Sequence, residues 1–180
     1  MSLLEGIDKD EAVVVVSALL PNRRSQPLFH EWFAVRFVDG QRKNILPFAR
    51  WAEGAIGHRA HPNRNAPVDV GPLRSLVAPA VEGARSATLA RWKEREAELA
   101  AKLERELTRL RALRNRRFDQ LVFDFGRRDR SEINAEVDKV FAPFLRFVEE
   151  SMTAGKEPFI EVLAVFRHEA GFRPRAGSAS

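Results

Sequence analysis

Cysteine is absent from this 180-residue chain, which excludes disulfide bonds and thiolate metal sites. Long apolar runs are absent too. The longest, residues 12–20, is too short to span a bilayer, and it follows an acidic segment rather than the basic start of a signal peptide. We therefore expect a soluble, cytoplasmic protein that has no membrane partner.

The sequence also lacks nucleotide-binding motifs, both G-x-x-x-x-G-K-[ST] and G-x-G-x-x-G. His58 and His61 could clamp a metal ion, but no third ligand stands at a suitable spacing, which favours a solvated pair. Asp119, Asp124 and Glu161 could form an acid/base or metal cluster, although carboxylates that pair with nearby arginines are the simpler interpretation. We predict no catalytic residue, no metal, no cofactor and no enzymatic activity of this chain.

Glycine and proline are missing from residues 84–117, a stretch filled mainly by Ala, Leu, Glu, Lys and Arg. Its apolar residues recur at three- and four-residue steps, which predicts one helix of roughly 50 Å. They are Leu89, Trp92, Leu99, Leu103, Leu107, Leu110 and Leu113. Glu96 and Glu106 interrupt the apolar seam, so we expect an intramolecular helical hairpin rather than an extended parallel coiled-coil dimer.

Four segments have the pattern of β-strands, near residues 12–20, 28–38, 41–46 and 158–166. The first and last are apolar on both faces, as strands inside a covered sheet are. The second alternates, and it is followed at once by Asp39 and Gly40, the pair typical of a tight type I′ hairpin. Because neither buried strand can stay in solvent, we predict that both ends of the chain join one sheet.

Several turn and cap signals divide the remaining chain. A short helix should follow Pro47, a surface loop should run from 57 to 71, and a helix should restart at Pro72. Pro79 should kink that helix or separate it from the long one. After a stop near Gly126, Asp129 and Glu132 have the spacing of a capping box, and Pro143 should kink the helix that follows.

Together these elements predict an α+β fold, with a small, mostly antiparallel sheet and a long helical hairpin as an insertion. The predicted organisation is a flexible N-terminus at 1–11, one domain at 12–167 with the helical insertion at 72–152, and a flexible tail at 168–180.

Positive charge is concentrated in one window. Residues 105–130 hold nine arginines and four acidic residues, an excess that equals the net charge of +5 of the whole chain. Arginine binds phosphate through paired hydrogen bonds, so the window predicts a nucleic-acid site. The candidate residues are Arg114, Arg116, Arg117, Arg127, Arg128 and Arg130. The alternative is a solvated helix face paired with acids, and 24 arginines against 6 lysines also indicate a bias across the whole chain.

Several motifs taken together resemble the C-terminal region of large bacterial Swi/Snf-type helicases of the DEAD/DEAH superfamily. They are LFHEWFAVRFVDG, the following LPF-x-x-W turn, the HPNRNAPV loop, the charged helix and VDKVFAPFLRFVEESMTAGKEPFIEVLAVF. The resemblance covers most of residues 12–167. It departs from the family in having no paired ATPase domains, so helicase activity does not carry over.

What the resemblance implies is an accessory role, on DNA or at the surface of a helicase motor. We therefore expect a non-catalytic accessory or C-terminal domain of such a helicase, with DNA or an ATPase motor as partner. The alternative is a protein–protein interaction module that acts through the helical hairpin and is unrelated to nucleic acid. An exposed apolar stripe on the far half of the long helix would favour that alternative. The sequence leaves the oligomeric state open.

Overall fold

The structure is a computed structural model that describes residues 7–55, 69–124 and 128–168. Its elements are β1 (Glu11–Pro21), β2 (Pro27–Val38), β3 (Gln41–Pro47), α1 (Phe48–Ala55), α2 (Gly71–Asp124), α3 (Arg130–Met152) and β4 (Phe159–Arg167). All four predicted strands are present within one residue of their expected bounds. Most of the predicted loop at 57–71 and almost all of the predicted tail lie outside the described residues.

The four strands form one sheet in the order β3-β2-β1-β4. β1 pairs antiparallel with β4, so the two strands from opposite ends of the chain do meet, as predicted. The expected burial of β4 on both faces was wrong, because β4 is an edge strand on which Phe159, Glu161 and Leu163 are exposed. The β2–β3 hairpin is also antiparallel, and its turn residues have positive φ, 51° at Asp39 and 78° at Gly40. Those angles are the ones that a type I′ turn requires, and they explain why this Asp-Gly pair fixes the hairpin.

The central strands of the sheet carry apolar side chains on both faces, because successive side chains along a strand point to opposite sides. On one face, Phe33, Val35 and Phe37 of β2 pack with residues from the beginning of α2. On the other face, Ala34 of β2 and both Val13 and Val15 of β1 pack with Trp51 and Phe48 of α1. The α+β fold with a long helical hairpin is thus confirmed, and α2 and α1 supply the two covering layers.

Helix α2 runs without interruption through Pro79, so of the two outcomes expected of this proline, a kink or a separation of two helices, the separation does not occur. Leu76 and Ala80, on either side of the proline, are buried against the sheet. An interior proline costs a helix about 3 kcal/mol. We infer that the burial of apolar side chains along this turn outweighs that cost, while Pro79 itself stays exposed and its carbonyl accepts a hydrogen bond from Arg42 at 3.2 Å.

The end of the segment expected to be a flexible N-terminus is packed. Ile7 is buried with Trp51, and Glu11 is the first residue of β1. Although Glu11 is charged, its side chain is only 2% exposed, and it accepts a hydrogen bond from Arg36 Nε at 2.6 Å. A partner 25 positions away in sequence makes this burial possible, and sequence polarity alone could not indicate it.

The chain divides into two compact units. The first unit holds the sheet, α1 and α2 as far as Arg91, because that part of α2 contributes to the sheet core. The second holds residues 21–28 and residues 92–157, which include the remainder of α2 and all of α3.

In the second unit, the end of α2 and α3 form an antiparallel helical hairpin. Its seam buries Leu107 of α2 and both Ile133 and Val137 of α3. The segment between β1 and β2 belongs to the same unit. There, the buried Asn22 donates to the Ser151 carbonyl at 2.9 Å, and its side-chain oxygen accepts from the amides of Arg24 and Gln26. Asn22 therefore joins this segment to the end of α3.

Candidate nucleic-acid interface

Helix α3 begins at a capped N-terminus beside the predicted arginine site. Asp129 is the N-cap, and its carboxylate accepts from the Ser131 amide at 3.0 Å and from the Ser131 hydroxyl at 2.8 Å. These hydrogen bonds hold the pKa of Asp129 below its ordinary value. Asp129 is thus confirmed as the N-cap, whereas among the described residues the structure shows no hydrogen bond from the Glu132 side chain that would complete the predicted capping box. Arg128 and Arg130 flank this negatively charged residue in sequence.

Arg114 is turned toward α3. Its guanidinium donates to Asp138 at 2.8 and 2.9 Å and also contacts the side-chain oxygen of Asn134, while Asn134 donates to Asp138 at 3.1 Å. The guanidinium also lies 5.7 Å from the centre of the Phe118 ring. Only 20% of the Arg114 side chain is exposed, so this candidate phosphate ligand joins the two helices of the hairpin instead.

Replacing Arg114 by alanine should lower the free energy of unfolding by about 1–3 kcal/mol, because Asp138 and Asn134 lose the donor that satisfies them. Urea denaturation followed by helical circular dichroism measures the change. Arg117→Ala, on an exposed neighbouring position of the same helix, is the control and should change stability by less than about 0.5 kcal/mol. Equal effects of the two substitutions would contradict a structural role for Arg114.

The other predicted arginines differ in their availability. Arg128 pairs with Glu136 at 3.1 Å, and both side chains are about half exposed. Arg116, Arg117 and Arg130 are exposed and have no ion pair within the described ranges. Arg127 lies outside the described residues. Three of the six candidates thus present a free guanidinium to solvent.

Two further arginines share the face of Arg116. Arg105, Arg109 and Arg116 are spaced by four and seven residues, which places them in one line along α2, and we call them the outer arginine row. All three are exposed, and none pairs with an acid in the described part of the chain. Their spacing is a signal in the sequence that appears on a helical projection, whereas the local density of arginine alone does not reveal it.

The carboxylates considered as a catalytic or metal cluster are all exposed. Asp119 and Asp124 are exposed on α2, and Glu161 is exposed on β4. His58 and His61 lie outside the described residues. Among the residues that are described, no three His, Cys, Asp or Glu side chains are placed to hold a metal ion. No helix among them combines the length and the apolar character needed to cross a membrane.

No protein-family model, curated protein sequence or solved structure matches this chain. The fold and the exposed arginines define an α+β protein whose helical hairpin presents unpaired arginines along α2 in the described part of the chain, and the resemblance to Swi/Snf-type helicases stays a prediction.

Proposed function

We propose that this chain is a non-catalytic module that binds the phosphate backbone of nucleic acid through one face of its helical hairpin. The outer arginine row, together with Arg117, carries the proposal. These guanidinium groups are exposed and unpaired in the described part of the chain, whereas Arg111, Arg114 and Arg128 are held by acidic partners. A solvated helix face that served only stability would gain from pairing those charges as well.

The row has the chemistry of a backbone contact. An arginine that neutralises a phosphate releases condensed counterions, so affinity arises without any reading of base edges and falls steeply with salt. Arg105 and Arg116 are separated by about 16 Å along the helix axis, a length over which a nucleic-acid strand presents several phosphates. Binding should accordingly be independent of sequence.

We further propose that the module acts beside a Swi/Snf-type helicase motor, as the sequence resemblance implies. Under this proposal the motor supplies ATP hydrolysis, because this chain has no nucleotide-binding motif of its own. The module would add salt-dependent affinity for the nucleic acid on which the motor moves.

Charge reversal of Arg116 and Arg117 to glutamate tests the backbone contact. Fluorescence anisotropy with a labelled oligonucleotide should show affinity lowered on the order of 10-fold or more near 0.15 M salt, because two phosphate contacts are lost and two repulsions are added. The plot of log affinity against log salt should also become less steep by about 2.

The matched control replaces Lys43 and Arg50 by glutamate, so that the net charge changes by the same amount. Both are exposed residues of the first compact unit, the sheet unit. This variant should retain most of the affinity and all of the salt slope. If both variants weaken binding to the same extent, net charge rather than the hairpin face is responsible, and the proposed site is wrong.

A second candidate function, a protein-interaction module, is favoured by the apolar face of α3. Val140, Phe144 and Phe147 are spaced by four and three residues and are 56%, 58% and 49% exposed. On α2, by contrast, Leu107 is buried and only Leu113 and Phe123 remain exposed beyond Trp92. Light scattering and pull-down with a motor subunit would support this candidate if Phe144→Asp abolished the association and the arginine reversals left it intact.

A further inference from the structure

Phe123 is the most exposed large hydrophobic residue in the described part of the chain, with 89% of its surface accessible. It lies in the last turn of α2, seven residues after Arg116. Two helical turns separate residues at this spacing, so Phe123 continues the outer arginine row. The row therefore ends in an aromatic ring that faces solvent.

The exposure of Phe123 contrasts with its apolar neighbours. Phe118, Leu121 and Val122 are each partly buried, as expected of residues that turn toward the other helix of the hairpin. Phe123 lies on the opposite side of α2 and contributes nothing to that seam. An aromatic ring in this position adds no packing within the hairpin, so a role in packing does not explain it.

A cationic line that ends in an exposed ring has the composition of a single-strand binding surface. Arginines follow the backbone of such a strand, and aromatic rings stack on its bases, which every base permits because each has a π face. In a duplex the bases are already stacked on one another, so an external ring finds few bases to contact. An exposed aromatic ring beside unpaired arginines should therefore favour single-stranded over double-stranded nucleic acid.

From this arrangement we propose that the hairpin binds single-stranded nucleic acid, with the outer arginine row along the phosphates and Phe123 stacked on an unpaired base. The inference rests on the proposed backbone contact and adds the substrate class to it. Arg116 and Phe123 are separated by about 10 Å along the helix axis, a gap that an arginine side chain and a base attached to the backbone can bridge between them.

Titration of the 180-residue chain with three labelled ligands tests the inference. The ligands are a single-stranded oligonucleotide of about 16 nucleotides, the duplex of the same length, and a strand of the same length in which every base is replaced by an abasic site. The single strand should bind more tightly than the abasic strand. Phe123→Ala should weaken single-strand binding by about 5- to 20-fold and change duplex and abasic-strand binding less than 2-fold.

Phe144→Ala is the matched control, since Phe144 is an exposed phenylalanine of α3 away from the outer arginine row. It should leave all three affinities unchanged. Because Phe123 is exposed, Phe123→Ala should leave the core intact. An unchanged helical circular dichroism spectrum would verify this.

The outcomes separate the inference from the proposed function. If all three ligands bind in a salt-dependent way and Phe123→Ala changes none of the affinities, the stacking is wrong and the backbone contact stands. Absence of salt-dependent binding would overturn both. Loss of association with a protein partner after Phe123→Ala, with nucleic-acid binding unchanged, would assign the ring to a protein interface and overturn the inference as well.

Discussion

Replacing Arg36 by methionine should lower the free energy of unfolding by about 3–5 kcal/mol, because the substitution leaves the Glu11 carboxylate buried without its partner. The Glu11 side chain is 2% exposed, and Arg36 Nε lies 2.6 Å from one of its oxygens. Urea denaturation followed by tryptophan fluorescence measures the loss, since Trp51 is buried in the same face of the sheet unit.

The ion pair should contribute steadily over the ordinary pH range. Hydrogen bonding to Glu11 raises the pKa of the Arg36 guanidinium further above its already high value, with a smaller contribution from the charge of Asp8. A raised pKa in the folded state gives stability that is present below the unfolded-state pKa and is lost only when the pH rises above it. The loss of unfolding free energy caused by Arg36→Met should therefore stay constant as the pH rises, until the pH becomes strongly alkaline.

Two controls distinguish the cost of an unpaired charge from the value of the pair. The double substitution Glu11→Met with Arg36→Met removes both charges and should recover most of the loss, since apolar side chains of similar size often replace a buried pair at little cost. Arg111→Met breaks an exposed pair with Glu104 at 3.5 Å and should change stability by less than about 1 kcal/mol. A double variant as unstable as Arg36→Met would contradict the explanation.

The sheet could be predicted because its signals are local. Three local features restrict how the strands pair and which faces are buried. They are the alternation along β2, the Asp39-Gly40 turn and the two strands that are apolar on both faces. The path of α2 through Pro79 could not be predicted in the same way. The cost of the proline is local, whereas the burial that offsets it depends on a sheet assembled from both ends of the chain.

The candidate site shows the same division. A high density of arginine marked the part of the chain that holds the proposed site, but density does not indicate which side chains are free. Arg114 is held by Asp138, 24 positions further along the chain, and this contact exists only once α3 folds back on α2. Arg105 and Arg109 could have been found by projecting the arginines on a helical wheel, because their place on the same face as Arg116 depends on the helix period alone.

The helical hairpin itself depends on a short buried seam, and Val137→Asp should disrupt it. Val137 is 2% exposed, so an aspartate there places an unpaired carboxylate among apolar side chains, at a cost of about 4 kcal/mol or more. Hydrogen exchange followed by mass spectrometry should show that the amides of α3 lose protection, while those of β1, in the sheet unit with its own core, keep theirs.

The chain offers a closely matched control three residues further along the same helix. Val140→Asp makes the same chemical change at a position that is 56% exposed, so it should cost less than about 1 kcal/mol and leave the exchange pattern of α3 unchanged. Both substitutions change the helix propensity by the same amount, because each replaces valine by aspartate in α3. The difference between their effects on stability therefore measures the contribution of burial in the seam. Similar losses of protection would mean that α3 is not held by this seam, and the outer arginine row would then lack the rigid support that the proposed binding face requires.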